Sequence, residues 1–197
     1  EAVKRRTPKA LRELADRIEE HVGFQKFQQF LFDEQWTKLH DYAKGKGIEI
    51  LGDMPIFVSA DSADVWANQG LFDLNLDGTP KTGVGVRPDY FSGTGLLWGN
   101  PQYDWEAMKE EHYAWWIARF RKLYKLVDVV RIDHFRGFES YWEIDGKAKT
   151  AINGRWMPGP GKPFFDAVKA AIGDLPIVAE DLGIITDEVE KLRDDSG

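Results

Sequence analysis

Val127-Asp128-Val129-Val130-Arg131-Ile132-Asp133-His134-Phe135-Arg136-Gly137 sets an apolar run against a cluster of charge. Three of its first four residues are valine and Ile132 follows, so β-branched stiffness favours an extended strand, of a length that suits burial on both faces. Side chains two apart in a strand share a face, which puts Arg131 beside Asp133 and turns Ile132 the other way. A permanent cation next to Asp133 keeps that carboxylate ionised, as a carboxylate nucleophile requires. The alternative is a structural ion pair at a strand end. The rest of the chain bears on which of the two applies.

With 197 residues, 43% hydrophobic and 13% aromatic, the chain is long enough to bury a core as one domain. Its net charge of -7 offers no basic stripe to neutralise phosphates, so no nucleic acid is expected as a partner. No run approaches transmembrane length, so no membrane is expected either. The absence of cysteine excludes disulfides, thiolate metal sites and cysteine nucleophiles, and is compatible with a reducing compartment. Eight tryptophans, twelve phenylalanines and six tyrosines lean toward a carbohydrate site, where rings stack on sugar faces, although core packing also uses them. The start at Glu and the stop after a helical pattern read as an internal piece of a longer protein.

Ahead of the central stretch, Thr7-Pro8 predicts a helix start and Gly23 its end, with a second helix from Phe24 to Gly45 whose aromatic face reads as core. Ile48 to Val58 then predicts a strand that delivers Asp53 near its end, though Asp-Met-Pro could equally be a turn. The segment 59–103 is a long loop region, and long loops inside compact domains tend to be functional. Within it Asp73 to Gly78 imitates the start of a calcium loop but has Val84 at the twelfth position, so it is read as a turn joining short strands. Gly83-Val84-Gly85 and Gly93-Thr94-Gly95 fail the dinucleotide and phosphate-loop patterns, so no nucleotide is implied. No metal site and no cofactor are expected.

Asp104 to Leu126 predicts one continuous helix with His112 on its core face. Phe138 to Pro160 reads as irregular. Pro163 to Ile172 predicts a short helix leading to Pro176-Ile177-Val178-Ala179-Glu180-Asp181, a third strand ending in carboxylates. A last helix opens at Thr186 or Asp187 on a capping-box spacing.

This alternation of helix and strand calls for an α/β fold, with a parallel sheet covered by helices. The C-terminal strand ends then share one rim, where Asp53, Asp133 and Glu180 would converge. The absence of a phosphate-binding glycine turn favours a barrel over an open doubly wound sheet. Arg131 beside Asp133 and the apolar approach to Glu180 should separate the proton affinities of the two acids, which suits a nucleophile and an acid in a retaining glycosidase scheme.

Arg131-Ile132-Asp133-His134-Phe135-Arg136-Gly137, Ala179-Glu180-Asp181-Leu182-Gly183, Gly52-Asp53-Met54-Pro55-Ile56 and Pro88-Asp89-Tyr90-Phe91 with Leu97-Trp98-Gly99-Asn100-Pro101 closely resemble the amylomaltases, 4-α-glucanotransferases also called disproportionating enzymes. The resemblance runs from about Phe24 to the end. It implies a (β/α)₈ TIM-type barrel with inserted loops, of which residues 1–197 form an internal fragment contributing the third, fourth and fifth strands. It makes Asp133 the nucleophile and Glu180 the general acid/base. Arg131 and His134 would bond the sugar at the cleavage point, with Asp53 on the same rim. Trp98, with Phe91 and Tyr90, would belong to a mobile loop folding over the glucan.

The implied activity is transfer of α-1,4-glucan segments between maltooligosaccharides, in the cytoplasm or in a plastid if the source is a plant. The family's third catalytic carboxylate lies in a His-Asp motif that does not occur between Glu180 and Gly197, so the fragment by itself is expected to be inactive. An α-amylase-class hydrolase is the nearest rival, because water and sugar acceptors use the same two carboxylates. A noncatalytic carbohydrate-binding module is the rival of another class, and it would not need a nucleophile and an acid at matched strand ends.

Overall fold

The computed structural model describes all of residues 1–197. Its organising element is a three-stranded parallel sheet of β1 (Leu51–Pro55), β4 (Val129–Asp133) and β7 (Ile177–Ala179), in the order β1-β4-β7. Pro55 stands opposite Asp133, Asp53 opposite Arg131, and Ile132 opposite Ala179. Beyond these pairs the Ile56 amide donates to the Asp133 carbonyl at 3.3 Å and the Glu180 amide to the Ile132 carbonyl at 3.1 Å. The ladder therefore fixes Asp53, Asp133 and Glu180 toward one end of the sheet.

Burial along β4 alternates, where burial on both faces was expected. Val130 and Ile132 are fully buried, while Val129, Arg131 and Asp133 are half-buried. The physical reason is the charge itself: the face that carries Arg131 and Asp133 must keep access to solvent or to polar partners.

The crossover from β1 to β4 runs through α3 (Ala63–Ala67), α4 (Trp105–Glu110) and α5 (Ala114–Leu123); that from β4 to β7 runs through α6 (Gly161–Ile172). Trp116 and Phe120 of α5 meet Phe138 and Phe164 in the centre of the core, with Phe138 and Phe164 rings 4.7 Å apart. A last helix, α7 (Asp187–Ser196), packs Val189 and Leu192 into the same cluster.

The helix expected from Asp104 to Leu126 is broken. His112 and Tyr113 both adopt left-handed backbone (φ 54° and 56°), a conformation uncommon outside glycine. This reversal brings the Tyr113 ring edge-on to Phe164 at 5.3 Å and leaves His112 exposed, so His112 is not the core histidine that a continuous helix implied.

The N-terminal boundary also differs. Helix α1 (Pro8–Arg17) stops at Ile18, and α2 (Glu19–Gly45) runs straight through Gly23, where nothing lies near the missing side chain. The aromatic face of α2 is not core in this chain. Phe24, Phe27, Phe30 and Tyr42 are all more than half exposed, because α2 docks through a narrower stripe of Trp36, His40 and Ala43. There the Trp36 indole donates to the Leu126 carbonyl at 2.7 Å, and His40 pairs with Asp128 at 2.9 Å. Asp128 also accepts the Ile50 amide at 2.9 Å. It anchors the opposite end of the sheet from Asp133.

Two segments that read as loop carry a second sheet, antiparallel in the order β3-β2-β5-β6, made of β2 (Thr82–Val86), β3 (Leu96–Pro101), β5 (Ser140–Asp145) and β6 (Gly154–Pro158). The expected irregularity of 138–160 and of much of 59–103 is thus corrected. The glycines explain both the fold and why it was hard to read. A Cβ on Gly85 would lie 2.0 Å from the Leu96 carbonyl oxygen, and one on Gly154 would lie 2.4 Å from the Trp142 indole nitrogen. They permit close strand approach, where a side-chain pattern would otherwise have signalled a strand. Asp73 to Gly78 forms a turn as expected, closed by the Gly78 amide on the Asn75 carbonyl at 2.8 Å. No helix is long and apolar enough to cross a membrane.

Candidate active site

The strand ladder delivers three acids to one cation. Arg131 Nη1 donates to Asp53 Oδ1 at 2.5 Å, while Nη2 forms ion pairs with both Asp133 Oδ1 at 3.1 Å and Glu180 Oε1 at 3.0 Å. Register explains the set: Arg131 is level with Asp53 across one ladder, Asp133 closes β4 two residues on, and Glu180 directly follows the end of β7. The hydrogen bond it donates to Asp53, then that to Asp133, raises the proton affinity of the guanidinium above its already high ordinary value, against the opposing effect of burial. Arg131 is a fixed charge at any working pH.

Arg131 does not single out Asp133, as the sequence had suggested, because the same nitrogen serves Glu180. What separates the two acids is their surroundings. The Glu180 side chain is 14% exposed and that of Asp133 42%. Glu180 also accepts the backbone amide of His134. That amide is available because the chain turns left-handed immediately after β4, at His134 (φ 55°), before the 3₁₀ turn Phe135–Phe138.

The His134 ring is packed edge-on against Trp98 at 4.9 Å and tilted against Phe57 at 6.3 Å. Burial chiefly, and repulsion from Arg136 secondarily, lower its pKa to about 4, with Asp133 pulling the other way. The imidazole is therefore neutral near pH 7 and can act as both donor and acceptor.

A cavity of about 200 Å³ opens on these groups. Trp98, Asp133, His134, Arg136, Trp156 and Glu180 line it, together with Arg87 and the run Leu182 to Ile184. The structure thus brings together Asp133, Glu180, His134 and Trp98, with Arg131 linking the two acids. Asp53, on the far side of Arg131, lines a separate cavity with Trp115 and Arg119. Phe91 lies outside the cluster: it is 92% exposed at the tip of the β2–β3 connection, edge-on to Tyr90 at 5.6 Å. Trp98 is a residue of strand β3 and not of that loop tip. A larger cavity, about 610 Å³, runs between α6, α7 and β7 and contains none of the three acids.

Arg136 and Trp156 were not singled out from sequence. Arg136 stood in the stretch that decided the fold, and a cation inside an apolar Phe-Arg-Gly-Phe run was the available signal. Trp156 lies in the segment read as irregular.

Fold and site together define an α/β protein with an acid pair and an aromatic-walled cleft at the C-terminal ends of its parallel strands. The chain belongs to the 4-alpha-glucanotransferase family, whose sequence model matches residues 1–197. It is 55% identical to a 4-alpha-glucanotransferase of Synechocystis over 196 residues, covering 96% of this chain and 38% of that protein. It is 50% identical to a chloroplastic/amyloplastic 4-alpha-glucanotransferase of Solanum tuberosum, covering 98% of this chain and 34% of that protein. Its fold matches an amylomaltase from Streptococcus agalactiae, solved in complex with acarbose, with a TM-score of 0.95 at 45% identity over 99% of this chain and 39% of the other. The chain thus spans less than two fifths of the length of these relatives.

Proposed function

We propose that the protein carrying this chain is a 4-α-glucanotransferase of the amylomaltase type, which moves α-1,4-glucan segments between maltooligosaccharides by retaining double displacement. The observation that carries this reading is the single Arg131 nitrogen shared by Asp133 and Glu180. Two oxygens paired with one nitrogen at 3.1 and 3.0 Å lie no more than about 6 Å from each other, a proximity compatible with the roughly 5–5.5 Å of a retaining pair.

In this scheme Asp133, the more accessible acid, attacks the anomeric carbon of the donor. The glycosidic oxygen leaves with a proton from Glu180, and the glucosyl group becomes an ester of Asp133. Glu180 then takes the proton of an incoming sugar hydroxyl, which breaks the ester and restores the original configuration. Arg131 and the neutral His134 bond the sugar at the cleavage point, and Asp53 supports Arg131 from below. Trp98 gives the cleft an apolar wall that favours a sugar acceptor over water. The acarbose in the Streptococcus agalactiae relative agrees with an oligosaccharide at such a cleft.

In the whole protein, β1, β4 and β7 form consecutive strands of a (β/α)₈ barrel, residues 1–197 form one contiguous part of its catalytic domain, and 59–103 form the active-site loop region that carries Phe91. The protein works in the cytoplasm, or in a plastid if it is from a plant. The test is Asp133→Asn and Glu180→Gln in the intact protein with maltotriose as sole substrate. Each should fold and lose several powers of ten in transfer. A folded Asp133→Asn protein that still makes glucose and longer glucans at a near-normal rate would sink the assignment.

A further inference from the structure

Beyond Ala179 the chain runs without regular structure as far as Thr186. This run carries Glu180 and brings Leu182, Gly183 and Ile184 to the cavity wall. No backbone hydrogen bond reaches residues 181–185. Ile185 packs against the core, and the one hydrogen bond to the run is donated by Arg136 Nη1 to the Ile184 carbonyl.

Arg136 is only 5% exposed, and the rest of its guanidinium is committed before it reaches Ile184. Nη2 donates to Ser140 Oγ at 3.0 Å, Nε to the Ser140 carbonyl at 3.4 Å, and Glu139 lies 3.8 Å away. Its Cζ sits 4.1 Å from the centroid of the Trp156 ring. A planar fork oriented on several sides presents its remaining donor with little further loss of freedom. Strand β7 fixes the N-terminal side of Glu180; Arg136 fixes the chain on its C-terminal side.

We infer that Arg136 is a positioning residue for the Glu180 carboxyl, acting through the Ile184 carbonyl and the 181–185 run. The role rests on the reading of Glu180 as proton donor given above. A misplacement of about 1 Å at such a group can cost on the order of a hundredfold in rate.

The test compares two donors in the intact protein. Maltotriose releases glucose, whose oxygen must take a proton as the bond breaks; α-maltosyl fluoride releases fluoride, which leaves with the bonding pair and needs none. Arg136→Met should lower kcat for maltotriose roughly 30- to 100-fold with little change in KM, while the pre-steady-state burst of fluoride falls at most about threefold. Arg136→Lys, which keeps the charge and one donor, should recover part of the maltotriose rate. Equal losses on both donors, a loss confined to KM, or no loss would overturn the inference.

If Arg136→Met does not fold, Ser140→Ala decides the matter. It removes one acceptor that orients the guanidinium and should show the same donor selectivity at roughly three- to tenfold; a folded Ser140→Ala protein without that selectivity overturns the inference equally. Glu180→Gln separates the two levels of the argument. If it is selective and Arg136→Met is not, the Arg136 role alone fails. If Glu180→Gln is impaired alike on both donors, the proton-donor reading itself is wrong, and the Arg136 role falls with it.

Discussion

His134 should make the folded protein sensitive to mild acid, and the size of the effect follows from its environment. Burial, aided by Arg136, lowers its pKa from an ordinary 6.5 to about 4 in the folded chain. Between those values the unfolded chain binds the proton and the folded chain refuses it. The contribution is therefore fully present above about pH 6.5 and is lost as pH falls toward 4. Linkage over this window puts the loss between pH 7 and pH 5 at about 2 kcal/mol.

Asn is the replacement of choice, because it does not titrate and it tolerates the left-handed backbone at this position. Urea unfolding of the native protein and of His134→Asn, each at pH 7 and pH 5, measures the difference directly. The native protein should lose about 2 kcal/mol more than the variant across that interval. Identical losses would mean that His134 titrates normally in the folded state. The argument for a neutral imidazole against Trp98 and Phe57 would then be refuted.

Trp98→Ala should cut glucan transfer at least about tenfold while the protein stays folded, because the residue is 40% exposed, lines the cleft and rests its ring on His134 and Phe57. A variant that melts earlier yet transfers normally would assign the ring to packing alone. Residues 1–197 by themselves should show no transfer from maltotriose, since β1 and β7 both present unpaired sheet edges and nothing closes the frame that holds Asp133 against Glu180. Glucose and maltopentaose appearing together, and disappearing in Asp133→Asn, would contradict this.

The parallel sheet was legible because its strands carry their signal in side chains. Val127 to Ile132 and Pro176 to Ala179 are apolar runs ended by charge, and the convergence of Asp53, Asp133 and Glu180 follows from parallel pairing without any coordinates. The antiparallel sheet was illegible for the opposite reason. In β2 and β6 the decisive positions are glycines, Gly85 and Gly154, whose role is to have no side chain. Helix boundaries failed at Ile18 and at His112-Tyr113, where tertiary packing of Tyr113 against Phe164 overrode a helical periodicity that continued unbroken through the sequence.

The site shows the same division. A residue type at a strand end could be read; which of two acids a shared cation serves could not. Alternation along β4 placed Arg131 with Asp133, but Glu180, just past the end of β7 and 46 positions after its other partner His134, reaches the same nitrogen. That contact depends on the β4–β7 register, in which Ile132 stands opposite Ala179. One residue of slip would turn every side chain of β7 to the opposite face and carry the Glu180 carboxyl away from Arg131. The order of residues thus supplies the chemical groups, and the ladder decides which of them meet. The hydrogen bond from Arg136 to the Ile184 carbonyl belongs to this second level, since nothing in the spacing of those residues brings them together.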